Sequence, residues 1–322
     1  MRILYVGNFA GEGSPLGWCP NAEYIADTLK SLGHEVNSLN ECDVTAEEVI
    51  EAAKDCDFIL TEEARLKGDF QNDEKNKKDV LLNLFKPVLE SGKPIVAWLT
   101  NIFFGIMRRE DHVLFNPIFK ADIVFSTDGG HDAEFKSAKV NHRLLRQGIY
   151  EPEAYISRKK YPTDAQIGFV GSVYSEIWPY RKQLIEFLKY TYGGRFEHFG
   201  QSGEIRHDPL NDLCGTLKIV VGDSVRSPHY WSNRIYEIIG RGGFFIHPIV
   251  EGLDEEFTPY EHFIQYKLGD FENLKRIIDY YLEHDEEREA IRMAGFEHCK
   301  KNHTYMHRVK EMLRVLQEEH II

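Results

Sequence analysis

Short apolar runs alternate with amphipathic stretches along the first half of the chain. Runs at Ile3–Gly7, Glu35–Leu39, Phe58–Thr61, Ile95–Leu99 and Asp122–Ser126 have the length and side chains of buried strands. Between them, spacings of three and four predict helices over Asn21–Ser31, Thr45–Lys54 and Asp79–Glu90. Thr45 and Glu48 form a capping box, in which each side chain reaches the other's backbone N–H. A further short strand is expected near Leu144–Gln147, and Gly148–Pro162, with Pro152, Arg158, Lys159 and Lys160, reads as a linker. The pattern then restarts with a strand at Gln166–Val170, a helix at Arg181–Thr191 and strands near Phe196–Phe199 and Leu217–Val221. Such alternation on both sides of a linker predicts an α/β chain of two doubly wound, Rossmann-like domains. Ligands are expected at the carboxyl ends of the strands and in a cleft between the domains.

The stretch Asn233–Gly243 and the following Phe244-Phe245-Ile246-His247 predict a capped helix, a glycine turn and a buried strand. Asn233 is placed as N-cap and Ile235, Ile238 and Ile239 as the inward stripe. Arg234 and Glu237, three apart, are then expected on the outward face. Free N–H groups and the positive end of the helix dipole favour a phosphate there, and a carboxylate nearby can accept both hydroxyls of a ribose. This outlines a nucleotide-diphosphate site. The alternative is an ordinary surface pair worth a few tenths of a kcal/mol.

Several motifs in order resemble a known family: Ile167-Gly168-Phe169-Val170-Gly171-Ser172 with Arg181, then Asn233–Gly243, Gly252-Leu253, Phe257, Asp270-Phe271-Glu272-Asn273-Leu274, and His303-Thr304-Tyr305 with Arg308. They resemble the C-terminal half of group-1 glycosyltransferases of the GT-B fold, in particular the branch resembling bacterial spore-maturation glycosyltransferases. The resemblance implies an N-terminal acceptor domain over 1–155, a C-terminal nucleotide-sugar donor domain over 163–305, and a helix over 306–322 that packs back on the first. It also implies that donor binding draws the halves together. Retaining members carry two glutamates eight residues apart; Glu237 matches the second, and His229 stands where the first would be.

Other candidates sit at strand ends. The loop Asn8–Pro20 carries Gly11, Gly13 and Gly17, but it is too long and proline-broken for a dinucleotide turn. The resemblance makes Gly11 and Gly13 a donor-facing loop, against the alternative of a plain surface loop. Gly171 and Ser172 let backbone N–H groups approach an anion, with Arg181 as a diphosphate clamp. Arg226, Ser227 and His229 precede the key helix and face the sugar or its phosphates in this reading; a satisfied loop histidine is the other reading of His229. In the first half, Glu62, Glu63, Thr100, Asn101, Asp128 and His131 follow predicted strands. Asp128 and His131 are candidates for acceptor positioning or acid/base work, with an N-cap and a surface histidine as alternatives. Asp55 and Asp57 copy a metal-binding spacing at the wrong end of a strand. His303 and His307, at i and i+4 on an expected helix, lack a third ligand nearby in sequence. No metal or cofactor is expected beyond the nucleotide-sugar substrate.

Length and charge set the remaining expectations. The chain has 322 residues and a formal net charge of −13, enough for two cores. Residues 1–155 hold 17 Lys and Arg against 26 Asp and Glu, which disfavours nucleic acid or anionic lipid as acceptor, although Lys136, Lys139, His142, Arg143 and Arg146 gather locally. Five scattered cysteines argue for buried thiols over a disulfide framework. With no long apolar run and no signal-peptide pattern, a cytoplasmic location is expected. The acceptor is a saccharide, protein or small molecule. Transfer is retaining, with the leaving phosphate taking the acceptor proton, or inverting, with Asp128 or His131 as base. Two other classes stay open: a nicotinamide-dependent oxidoreductase using Gly11, Gly13 and Gly17, and a non-catalytic nucleotide-sugar-binding protein of the same fold.

Overall fold

The computed structural model of the chain describes residues 1–9, 20–62, 66–67, 85–100, 116–173, 178, 180–200, 205–225 and 227–322. The chain divides into two compact units, residues 1–146 with 305–322, and residues 147–304.

Unit 1 is a six-stranded parallel sheet of order β2-β1-β3-β4-β5-β6, made of β1 (Arg2–Gly7), β2 (Glu35–Asn40), β3 (Phe58–Thr61), β4 (Ile95–Leu99), β5 (Ile123–Ser126) and β6 (His142–Leu144). Among the described residues, α1 (Asn21–Ser31), α2 (Ala46–Ala53) and α3 (Asp132–Ser137) accompany it. The capping box forms, with Thr45 Oγ1 accepting from the Glu48 N–H at 3.3 Å and Glu48 Oε2 accepting from the Thr45 N–H at 2.9 Å. One face of the sheet, including Leu4, Val6, Ile59, Ala97 and Val124, packs with Val49 of α2 and Phe135 of α3. Part of the expected helix 79–90 lies outside the described residues; 85–89 are helical. The last strand starts earlier than its apolar residues predict. His142 pairs with Val124, stacks on Phe135 at 3.8 Å and lies 2.8 Å from Ser126 Oγ through Nε2, so a polar residue anchors the edge strand.

Unit 2 holds a five-stranded parallel sheet of order β11-β10-β9-β7-β8. Its elements are β7 (Ile167–Val170), α4 (Arg181–Tyr192), β8 (Phe196–Phe199), α5 (His207–Thr216), β9 (Ile219–Val221), α6 (Arg234–Ile239), β10 (Phe245–Pro248), β11 (Ile264–Tyr266), α7 (Phe271–Glu283) and α8 (Asp285–Asn302). The segment expected as a linker belongs to this unit. Asn211 Nδ2 donates to the carbonyls of Glu153 and Tyr155 at 2.8 and 2.7 Å, and Ser157 Oγ donates to Asp212. A polar, proline-bearing stretch is ordered here because α5 offers hydrogen bonds to its backbone.

The chain then returns to unit 1 as α9 (Tyr305–Glu318). Tyr305 is buried, and its hydroxyl donates to Asn21 Oδ1 at 2.9 Å. Because α8 ends at Asn302 and α9 begins at Tyr305, His303 and His307 do not share a helix. His303 instead faces His298 and the Glu256 carbonyl, each at 3.1 Å. In each sheet the strand order reverses beside the first strand, between β1 and β3 and between β7 and β9, the position where open parallel sheets leave a crevice at their carboxyl ends. No helix among the described residues is long and apolar enough to cross a membrane.

Candidate functional site

The reversal point of unit 2 gathers two arginines on one carboxylate. Beyond β9, Gly222 leads to Asp223, whose side chain is buried. Arg181, the first residue of α4, donates from Nε to Asp223 Oδ2 at 2.7 Å and from Nη2 to Oδ1 at 3.2 Å. Its Nη1 donates to the Ser172 carbonyl at 2.8 Å. Arg234, the first residue of α6, donates from Nη1 to the same Oδ1 at 2.8 Å. Beyond β7, Gly171 has φ +142°, and a Cβ there would stand 2.7 Å from Arg234 Nη2. Glycine is therefore what lets the guanidinium lie against the strand end. The Trp178 ring packs 4.3 Å from Arg181, and Phe169 lies under both arginines at 5.6 and 5.1 Å.

Two guanidiniums and one carboxylate leave one positive charge in excess at a site with little water. Burial, and then Arg181, push Arg234 down to about 10, against the pull of Asp223. An anion placed beside them offsets that repulsion.

Glu237 is not on an outward face. It is 6% exposed, and Arg241 Nη1 donates to its Oε2. Arg241, itself 1% exposed, donates through Nη2 to Glu153 Oε2, and His207 Nδ1 lies 2.6 Å from Glu153 Oε1. Burial pushes the Glu237 carboxyl up to about 7, with Arg206 opposing. The outward face fails because α6 is a short helix enclosed in the unit: five of its six residues are buried. The apolar stripe of a buried helix does not say which side meets solvent. Nor does Asn233 cap it. Its backbone is already helical (φ −54°, ψ −17°) and its side chain makes no capping hydrogen bond.

His229 has φ +53°. Its N–H donates to the Glu251 carbonyl at 2.9 Å, and its ring lies against Gly252, where a Cβ would meet Nδ1 at 2.3 Å. In unit 1, Asp128 is buried just past β5, its N–H donating to Ser126 Oγ at 3.2 Å. His131, not Asp128, is the residue flanking α3, and its Nδ1 lies 3.4 Å from Glu134 Oε1. Gly11, Gly13, Arg226, Glu63 and Asn101 lie outside the described residues. Asp57 accepts from the Arg2 N–H at 2.8 Å, at the amino end of β1. Among the described residues no three His, Cys, Asp or Glu side chains group to hold a metal ion.

Sequence reasoning missed Asp223, Arg241, Glu153 and His247. Asp223 carried a signal: Val221-Gly222-Asp223-Ser224 repeats the strand, glycine and polar pattern of Val170-Gly171-Ser172. His247, in β10, is 1% exposed. Its Nδ1 lies 2.8 Å from the Pro248 carbonyl, and burial pushes it down to about 4. Its Nε2 and the hydroxyl of Ser224 are buried without a hydrogen-bond partner among the described residues.

Solved structures share this architecture. The Anabaena protein HepE in complex with UDP is 11% identical with a TM-score of 0.65, over 99% of this chain and 100% of that one; HepE is also known with UDP-glucose. A glycosyltransferase from Rickettsia africae is 13% identical with a TM-score of 0.66, over 99% and 98%. Sucrose-phosphate synthase from Thermosynechococcus elongatus is 14% identical with a TM-score of 0.64, over 99% and 98%. At such identity the likeness establishes the fold. Residues 181–314 match the sequence family described as glycosyl transferase-like. The two parallel-sheet α/β units have the GT-B fold of these structures. The matched segment opens on Arg181 and takes in Asp223, Arg234, Glu237 and Arg241, so both charge networks draw on it. No curated protein matches the chain in sequence.

Proposed function

We propose that this enzyme moves a sugar from a uridine diphosphate sugar to an acceptor, that unit 2 holds the donor, and that no metal is required. The observation that carries the reading is the single positive charge left by Arg181 and Arg234 around Asp223. Breaking the bond from the sugar's anomeric carbon to the diphosphate oxygen builds negative charge on the departing phosphate, and preorganised guanidiniums stabilise that charge without reorganising. The uridine assignment draws on the UDP and UDP-glucose held by HepE.

Glu237 orients the ribose in this scheme, and His229, near Gly252, faces the sugar. Glu237 matches the second glutamate of retaining enzymes, which supports retention, with the leaving phosphate taking the acceptor proton. Asp128 and His131 position the acceptor. The order of motifs from Ile167 to Arg308 supports placement in the spore-maturation-type branch.

Titration calorimetry tests the scheme. UDP binds well above uridine in excess EDTA, and Arg234→Ala removes most of that difference while leaving uridine binding unchanged. Equal affinity for UDP and uridine, or turnover lost on chelation and restored by Mn²⁺, overturns it.

A further inference from the structure

We propose that Arg241 is the positioning residue for Glu237: held between Glu237 and Glu153, its guanidinium engages Oε2 of Glu237 and leaves Oε1 to accept a ribose hydroxyl. The proposal rests on reading Glu237 as the ribose carboxylate.

A carboxylate this deeply buried is driven toward its neutral form. Protonated, it carries a donor of its own and loses acceptor capacity toward a hydroxyl. Burial pushes Glu237 up to about 7, with Arg206 opposing, so the acceptor it offers depends on how its carboxylate is held. The groups facing it are Arg241 from the end of its own helix, Arg206 beside the start of α5 and Cys214 within α5. Glu153 and His207 act through Arg241. Of these, Arg241 makes the direct contact. It sits four residues after Glu237, one turn along, and its Nη1 also donates to the Glu237 carbonyl at 3.1 Å. Glu153 grips the other side of the guanidinium through Nη2. A planar fork held at two nitrogens fixes the plane of the carboxylate it touches.

The contact is one-sided. A purely structural arginine and carboxylate commonly pair as fork to fork, using both carboxylate oxygens. Here Oε1 of Glu237 accepts no hydrogen bond from a described residue, while Oε2 is engaged. The arrangement leaves one oxygen oriented and available.

The test compares UDP with 2′,3′-dideoxy-UDP by calorimetry from about pH 6 to about pH 8.5, a window spanning the raised carboxyl. Wild type, Glu237→Gln, Arg241→Lys, Arg241→Met and Glu153→Gln are titrated, each first shown to melt cooperatively. Wild type prefers UDP by about tenfold to a hundredfold at the alkaline end, the range for a hydrogen bond to a charged group, and less at the acid end as the raised carboxyl takes up its proton. Arg241→Met loses that preference at the acid end and regains part of it as pH rises, Arg241→Lys keeps more of it, and dideoxy-UDP binds all variants alike. A folded Arg241→Met with the wild-type preference and the wild-type pH profile overturns the proposal. Should Arg241→Met fail to fold, Glu153→Gln and Arg241→Lys decide: a reduced, pH-dependent preference supports it, and an unchanged preference in both overturns it. Failure of the ribose reading looks different, because wild type itself then binds the two nucleotides equally and Glu237→Gln changes nothing.

Discussion

Arg234 donates to Asp223 at 2.8 Å, eleven residues back in the chain, and not to Glu237 one turn along its own helix. A pair three apart on a helix surface is worth a few tenths of a kcal/mol, whereas a buried hydrogen bond between charged groups is worth several times that. The tertiary partner wins, and the cation is carried to the reversal point of the sheet.

Replacing Asp223 by Asn leaves two buried guanidiniums facing each other. A loss of about 3 to 5 kcal/mol is expected, as for a buried ion pair stripped of one partner. The same change removes the competitor for an anion, so inorganic phosphate should raise the melting temperature of the variant more than that of wild type. A smaller rise in the variant would contradict the assignment of this cluster to the diphosphate.

Glu237→Ala should lower stability as well as nucleotide affinity. On an outward face the substitution would leave folding untouched; buried against Arg241 it strands a cation, with an expected loss of about 3 to 5 kcal/mol in urea unfolding. A denaturation midpoint equal to wild type would argue that Arg241 is fully satisfied by Glu153.

Gly171→Ala tests the approach of Arg234. The backbone stands at φ +142° and the new methyl would meet Nη2 at 2.7 Å, so about 1 to 3 kcal/mol of strain is expected. UDP affinity should fall while uridine affinity holds, read side by side in calorimetry.

Acid should weaken the fold through two histidines. Burial pushes both His142 and His247 down to about 4 from 6.5. The unfolded chain therefore takes up these protons first. Their contribution is full above about pH 6.5, shrinks as pH falls and is gone below about pH 4, with about 3 kcal/mol at stake for each. Urea midpoints across that window should fall with pH, and His142→Gln should flatten the slope. An unchanged slope would remove His142 from the account.

Local chemistry wrote much of the fold into the sequence. The strand Phe58–Thr61, the helix Asn21–Ser31 and the box at Thr45 and Glu48 are visible because period, length and capping act over a few residues, and the glycines at Gly171 and Gly222 mark where strands end. Tertiary structure decided the partners. Asp223 lies beside Arg181 and Arg234 only because β7 and β9 are neighbours in the sheet. Glu237 meets Arg241, which Glu153 holds from its other side, because α6 is enclosed on the side that helical periodicity left facing water. A hydrophobic stripe reports which residues avoid water, but not whether the polar ones have been buried with a partner from far along the chain.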